Sequence, residues 1–158
     1  MVSKHKYSEN KGKNKEFLEI LKKIEKVDHW SEYDIYELAK MDGDAYKIAY
    51  TIKKGVETTQ LRKFYNEALK GYYALFHPSR RDDIAARTAL AMLSPRAHYA
   101  RQRKTISQEF LDFIKKSTDL SKFRVNNIEE FKKDYERFLQ FFEAVVGYHK
   151  FFSKSEER

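Results

Sequence analysis

From Asn127 up to Gly147 the chain carries no glycine or proline, and its apolar positions Ile128, Phe131, Tyr135, Phe138, Phe142, Val145, His149 and Phe152 step alternately by three and four residues. That spacing lines one side of an α-helix and neither face of a strand. Asn127, followed three residues later by Glu130, supplies a capping-box-like start, so a helix of about 25 residues is expected. Leu139 and Val146 widen the stripe beyond the narrow seam of a coiled coil. A bundle core is therefore favoured over a coiled-coil dimer as the use of this helix.

The rest of the chain reads in the same way. In 158 residues there are only 5 Gly and 2 Pro against 12 Phe and 11 Tyr, so breaks are few and large side chains plentiful. Residues 1–14 are polar and lysine-rich without periodicity and read as a disordered basic arm. From Lys15 the set Phe17, Leu18, Leu21, Ile24 and Val27 has helical spacing. Ser31 is expected to cap a second helix holding Tyr33, Tyr36 and Leu38. A short helix from Asp42 or Asp44 carries Tyr46, Ile48, Ala49 and Ile52 and ends at Gly55. Thr58 or Thr59 caps a helix running through Leu61, Phe64, Tyr65, Ala68, Leu69, Tyr72 and Phe76 and stopping before Pro78. A further helix spans about Asp82 to Leu93, with two acids in its first turn. Ser94 and Pro95 then open a separate short basic segment, and Thr105 with Gln108 forms a capping box for a helix bearing Ile106, Phe110, Phe113 and Ile114. The expected fold is all-α, with residues 15–152 a single helical domain and 153–158 a disordered tail.

Charge is segregated along this framework. Residues 1–52 and 105–158 each carry ten basic and ten acidic side chains, while residues 53–104 carry twelve basic against four acidic. The whole net charge of +8 and seven of the ten arginines lie in that central window. Guanidinium groups pair with phosphate and stack on bases, so a polyanion is the natural partner. A solvated basic face is the plainer alternative.

Catalytic and metal chemistry is not legible. The absence of cysteine removes disulfides, thiolate nucleophiles and Cys-bearing metal sites. The five histidines are at least 21 residues apart, which denies any pair the helical spacing of a metal site. No glycine-rich phosphate loop or serine elbow is present. No catalytic residue, cofactor or metal ligand is assigned, and the chain is read as not an enzyme. No apolar run reaches the length of a membrane span, and the N-terminus lacks a signal-peptide stretch; a cytoplasmic protein without a membrane partner is expected.

Three segments carry more than their composition. Thr58 to Tyr65 places hydroxyls, an amide and two cations around a helix N-terminus, which suits a phosphate. Leu93 to Lys104 puts Arg96, Tyr99 and Arg103 on one helical face, combining charge with a ring on which a base stacks, if the core does not take that ring. In Phe141 to Lys150 an acid and a glycine interrupt an apolar run, and His149 reads as a core-edge histidine. The stretches Thr58–Phe64 (Thr-x-Gln-hydrophobic-Arg-Lys-Phe), Pro95–Arg101 (Pro-basic-small-x-Tyr-Ala-Arg) and Phe141–Lys150 (Phe-x-Glu-Ala-hydrophobic-x-x-Tyr-His-Lys), in this order, resemble the small subunit of the type III-A CRISPR effector, the Csm complex. The likeness covers roughly residues 45–152. His98 stands where the family pattern has a small residue, and Gly147 where it has Ala.

The resemblance implies a compact bundle of about five helices, in agreement with the periodicity. It also implies an architectural, non-catalytic role in antiviral defence: several copies lining the interior of a ribonucleoprotein beside other Csm subunits, helping to hold guide RNA and target RNA together. Self-association, including a homodimer of the isolated protein, belongs to the same expectation. The RNA-binding residues expected are Lys53, Lys54, Thr59, Gln60, Arg62, Lys63, Arg96, Tyr99, Arg101, Arg103 and Lys104. Two other readings of the basic window are a standalone helical DNA-binding regulator, with a helix-turn-helix around Pro78, and a helical protein-interaction scaffold that self-associates through the last helix.

Overall fold

The computed structural model describes the backbone of residues 4–156 and the side chains of residues 14–153. It runs through α1 (Lys4–Lys26), a 3-10 turn (Trp30–Glu32), α2 (Ile35–Ala39), α3 (Asp44–Ile52), α4 (Thr58–Leu75), α5 (Asp83–Gln102), α6 (Gln108–Ser117), a second 3-10 turn (Leu120–Lys122) and α7 (Ile128–Glu156). No strand occurs among the described residues. The all-α bundle with a long last helix is as expected: six helices of nine residues or more, and the five-residue α2. The backbone of α1 is helical from Lys4, within the stretch read as an arm, and α7 reaches Glu156, into the stretch read as a tail. Residues 1–3, 157 and 158 of those two segments lie outside the described residues. No helix among the described residues is long and apolar enough to cross a membrane.

Helix α7 is the axis. Phe131, Tyr135, Phe138, Phe142, Val145, His149 and Phe152 are all buried, joined by Leu139 and Phe141. They pack against α3, α4 and the Trp30 turn. The stripe is therefore spent inside the chain's own core, and the self-association seam of the scaffold reading is not on the surface. Edge-to-face ring pairs fill its centre: Trp30 with Phe141 at 5.5 Å, Tyr33 with Phe141 at 5.3 Å and Phe138 with Phe142 at 6.0 Å between centroids. Each such pair contributes about 0.5–1.5 kcal/mol beyond burial. The buried polar tips find partners: Trp30 Nε1 donates to Ser117 O at 2.9 Å, at the end of α6, and Tyr135 Oη to Ala68 O at 2.6 Å. That second bond needs α4 very close to α7. Gly71 permits it, since a Cβ there would lie 2.1 Å from Tyr135 Oη and 2.9 Å from Ala89 Cβ.

Helices α4 and α5 lie antiparallel. Their contacts run from Gln60 with Thr105 at one end, through Glu67 with Arg96, to Asp82 N on Ala74 O at the other. This side-by-side hairpin differs from the crossed pair of a helix-turn-helix, so the sequence around Pro78 does not build that motif.

Two buried carboxylates hold the N-terminal third to the axis. Asp44 accepts from Tyr33 Oη at 2.6 Å and from Lys23 Nζ at 2.7 Å, joining α1, the turn and α3. Burial and this carboxylate push the Tyr33 phenol well above the usual tyrosine range. Asp134, on α7, is fully buried. It accepts from Arg124 N and Nε at 2.9 and 3.0 Å, from Arg124 NH2 at 3.0 Å and from Ser31 N at 3.0 Å.

Several local expectations change. Ser31 lies in the Trp30 turn, and α2 is capped by Asp34, whose side chain accepts from Glu37 N. Tyr36 is exposed, and in α1 Ile20 takes the buried place while Leu18 faces out. Glu57, not Thr58 or Thr59, occupies the N-cap of α4 and makes no side-chain cap bond. Ser107, not Thr105, caps α6 by accepting from Phe110 N. Pro95 does not start a helix but lies inside the unbroken α5. One buried stripe, Ala86, Leu90, Leu93, Ala97 and Ala100, continues past it. Ala91, whose carbonyl loses its partner to Pro95, is exposed, so the missing bond does not leave a buried acceptor.

Burial raises the Asp134 carboxyl, but the hydrogen bonds from Arg124 and Ser31 outweigh it and hold the group below the ordinary aspartate value. A carboxyl lowered on folding contributes stability above its unfolded value, and that contribution is lost as pH falls through the folded value. Asp134→Asn is expected to cost about 3 kcal/mol near pH 7, with Arg124 left without its main partner. In urea titrations from pH 7 to pH 2 the gap from the unsubstituted chain should close only on the acid side of the ordinary carboxylate range.

Candidate nucleic-acid interface

The basic window folds into α4 and α5, and the two connections at its ends touch. One follows α3 (Lys53 to Glu57), the other follows α5 (Arg103 to Ser107). Ser107 N donates to Gly55 O at 2.7 Å, and a Cβ on Gly55 would lie 2.1 Å from Ser107 Oγ, so the contact depends on glycine. From behind, His149 Nε2 lies 2.9 Å from Val56 O; since a carbonyl only accepts, that nitrogen carries the proton. His149 is a core residue fixing the loop.

The second connection is a Schellman turn: Lys104 N donates to Arg101 O at 2.9 Å and Thr105 N to Ala100 O at 3.0 Å. Lys104 is consequently left-handed, with φ 63°, where glycine is preferred. Thr105 Oγ1 also donates to Ala100 O, and Gln60 Nε2 donates to Thr105 Oγ1, both at 3.0 Å. The hydroxyl proton being committed to the carbonyl, the amide must present its NH2 to Thr105. The Gln60 carbonyl oxygen is the end left for another donor.

Between the connections lies an open cleft of about 990 Å³. Lys54, Lys63, Arg96 and Lys104 supply four cations to its walls; Thr59, Gln60, Thr105 and Ser107 supply polar groups. The first turn of α4 lies at its edge, and because Glu57 makes no side-chain cap bond, the amides of that turn remain open to an acceptor. Cations and a positive helix end together favour an anion with several oxygens. Two acids, Glu57 and Glu67, share the walls. Arg96 NH1 reaches Glu67 at 2.9 Å and Lys70 Nζ reaches it at 3.0 Å. The Lys70 ammonium, with Arg96 beside it, holds the Glu67 carboxyl below the usual glutamate range.

Six of the eleven residues singled out in the sequence thus line one cleft: Lys54, Thr59, Gln60, Lys63, Arg96 and Lys104. The other five lie off it. Lys53 sits over the Tyr50 ring, 4.0 Å from its centroid. Arg62 is exposed on α4, one residue and so about 100° round the helix from Lys63. Arg101 NH1 donates to Ile106 O at 3.3 Å, bracing the second connection. Tyr99 is 64% exposed rather than in the core, with the Arg103 guanidinium 5.6 Å from its ring centroid. The sequence reasoning missed Gly55, Glu67, Thr105 and Ser107 as parts of the cleft. Glu67 had a visible signal, being one of only four acids in the basic window and four residues from Lys63.

The chain is all-helical and carries a cationic cleft, and among its described residues no group of three or more His, Asp or Glu side chains is arranged to hold a metal. The family model described as Csm2 Type III-A matches residues 35–155, and the chain belongs to that family, the small-subunit family of the type III-A effector that its three motifs resemble. The match begins ten residues before the motif-based likeness and extends beyond it at the other end. No curated protein and no solved structure matches the chain.

Lys104→Gly separates backbone conformation from charge. Relief of the left-handed lysine is expected to stabilise the fold by up to about 1 kcal/mol in urea unfolding, while retention on an immobilised polyanion falls with the lost cation. A destabilised variant would refute the turn geometry.

Proposed function

We propose that this chain is a non-catalytic, RNA-binding small subunit of a cytoplasmic type III-A Csm ribonucleoprotein and helps to hold guide RNA and target RNA in antiviral defence. The observation that carries the reading is the convergence of Lys54, Lys63, Arg96 and Lys104 with the uncapped start of α4 on one cleft. Phosphate contacts of this kind carry affinity and register, whereas sequence is read by guide pairing. Of the residues off the cleft, Lys53, Arg62 and Arg101 extend the basic surface, and Tyr99 with Arg103 offers an exposed ring-and-cation pair for base stacking. Other Csm subunits and further copies of the chain, including a homodimer when isolated, are the protein partners in this reading. An apolar groove bordered by Ile35 on α2, Met41 in the turn after it, and Ala144, Tyr148 and Phe151 on α7 suits such contacts.

Anisotropy titrations of a labelled single-stranded RNA at increasing salt test it. Four to six neutralised phosphates should give a log–log slope of about −3 to −4, at ~0.7 counterions per contact. Lys63→Glu should weaken binding without changing helical circular dichroism, and a slope near zero would overturn the proposal. Glu67→Gln, which frees Arg96 and Lys70 of their acid, should tighten binding; weaker binding would mean that the acid positions Arg96 instead of competing for it.

A further inference from the structure

We infer that a nucleic-acid strand held in the cleft continues along the outer face of α4 to a second phosphate contact, Arg80 and Arg81 on the α4–α5 connection. This rests on the RNA reading above and adds a site to it. Lys63, Glu67, Lys70 and Ala74 follow one another by four, three and four residues, which keeps them within about 40° of a single line on the helix. Lys63 and Glu67 belong to the cleft wall, and Lys70 bonds Glu67. At the end of that line Ala74 O accepts from Asp82 N at 2.9 Å, tying the connection to the same face.

The connection is a built turn. His77 Nδ1 accepts from Ser79 N at 3.2 Å and from Arg80 N at 2.8 Å. On the far side Asp82 Oδ1 accepts from Ala85 N at 2.9 Å, and Asp83 faces Arg87 at 3.5 Å. The nearest acids are therefore engaged, and Arg80 and Arg81 stand exposed between two pinned ends with no ion pair among the described residues. Two guanidinium forks on a fixed turn form a preorganised phosphate clamp. Tyr73, near the same end of α4, is 62% exposed. Continuity with the cleft favours a nucleic acid over an acidic protein. The 18 residues of α4 span about 27 Å, the length of strand needed to join the two sites.

The experiment uses the full chain, labelled with nitrogen-15, and a 16-nucleotide single-stranded RNA of mixed sequence, long enough to reach both sites. Amide shifts are expected in two groups, Thr59 to Lys63 with Lys104 to Ser107, and Ser79 to Ile84. Arg80→Glu combined with Arg81→Glu should lower affinity about tenfold and flatten the salt slope by about 1.4, at ~0.7 per lost contact, with helical circular dichroism unchanged. Shifts confined to the cleft, with the double variant binding within about twofold of the parent, would overturn the extension and leave the cleft reading standing. No shift in either group would overturn the RNA reading and this inference with it.

Discussion

Helix α7 cannot leave its aromatic stripe in water, and the fold is the arrangement of the other helices that covers it. Phe131, Tyr135, Phe138, Phe141, Phe142, Val145 and Phe152 are each buried, and full burial of such a side chain contributes about 1.5–3 kcal/mol. One helix supplies the rings and the others supply lids: α3 and α4 along its sides and the Trp30 turn across its first half. Covering so wide a stripe demands close approach. Gly71 lets α4 come near enough for Tyr135 to bond the α4 backbone, and Asp134 pins the Trp30 turn through Arg124 and Ser31.

The basic surface is a by-product of that arrangement. Since α4 lies on α7 and α5 lies antiparallel on α4, the start of α4 and the end of α5 come to the same end of the molecule. Lys54, Lys63, Arg96 and Lys104, separated by up to 50 residues in the chain, are then gathered there. The gathering is not relaxed: Lys104 holds a left-handed conformation and Arg96 is tethered to Glu67.

Much of this was legible in the chain. The α7 stripe, the start of α7 at Asn127, the extent of α3 and the acids opening α5 are local properties of spacing and capping, and they appear where expected. Pro95 misled because a proline rule concerns one hydrogen bond, whereas a buried stripe on both sides of it involves five side chains. Thr58 and Thr105 misled for a related reason. Each is a good cap by type, but Thr58 Oγ1 lies 3.3 Å from Ser153 Oγ and Thr105 Oγ1 accepts from Gln60, both across distances in sequence that no local window contains. Tyr99 was balanced between core and surface in the sequence, and its position relative to α4 placed it outside.

By itself the sequence determined the helical class, the axis helix, the location of all net charge and the motifs of the Csm2 family, because periodicity, capping chemistry and charge are written locally. Only the tertiary structure decided which of eleven candidate residues share a cleft and which brace a loop or stand apart. That depends on how closely helices approach, and here the approach is set by single positions such as Gly71 and Gly55 whose importance lies in the atoms facing them.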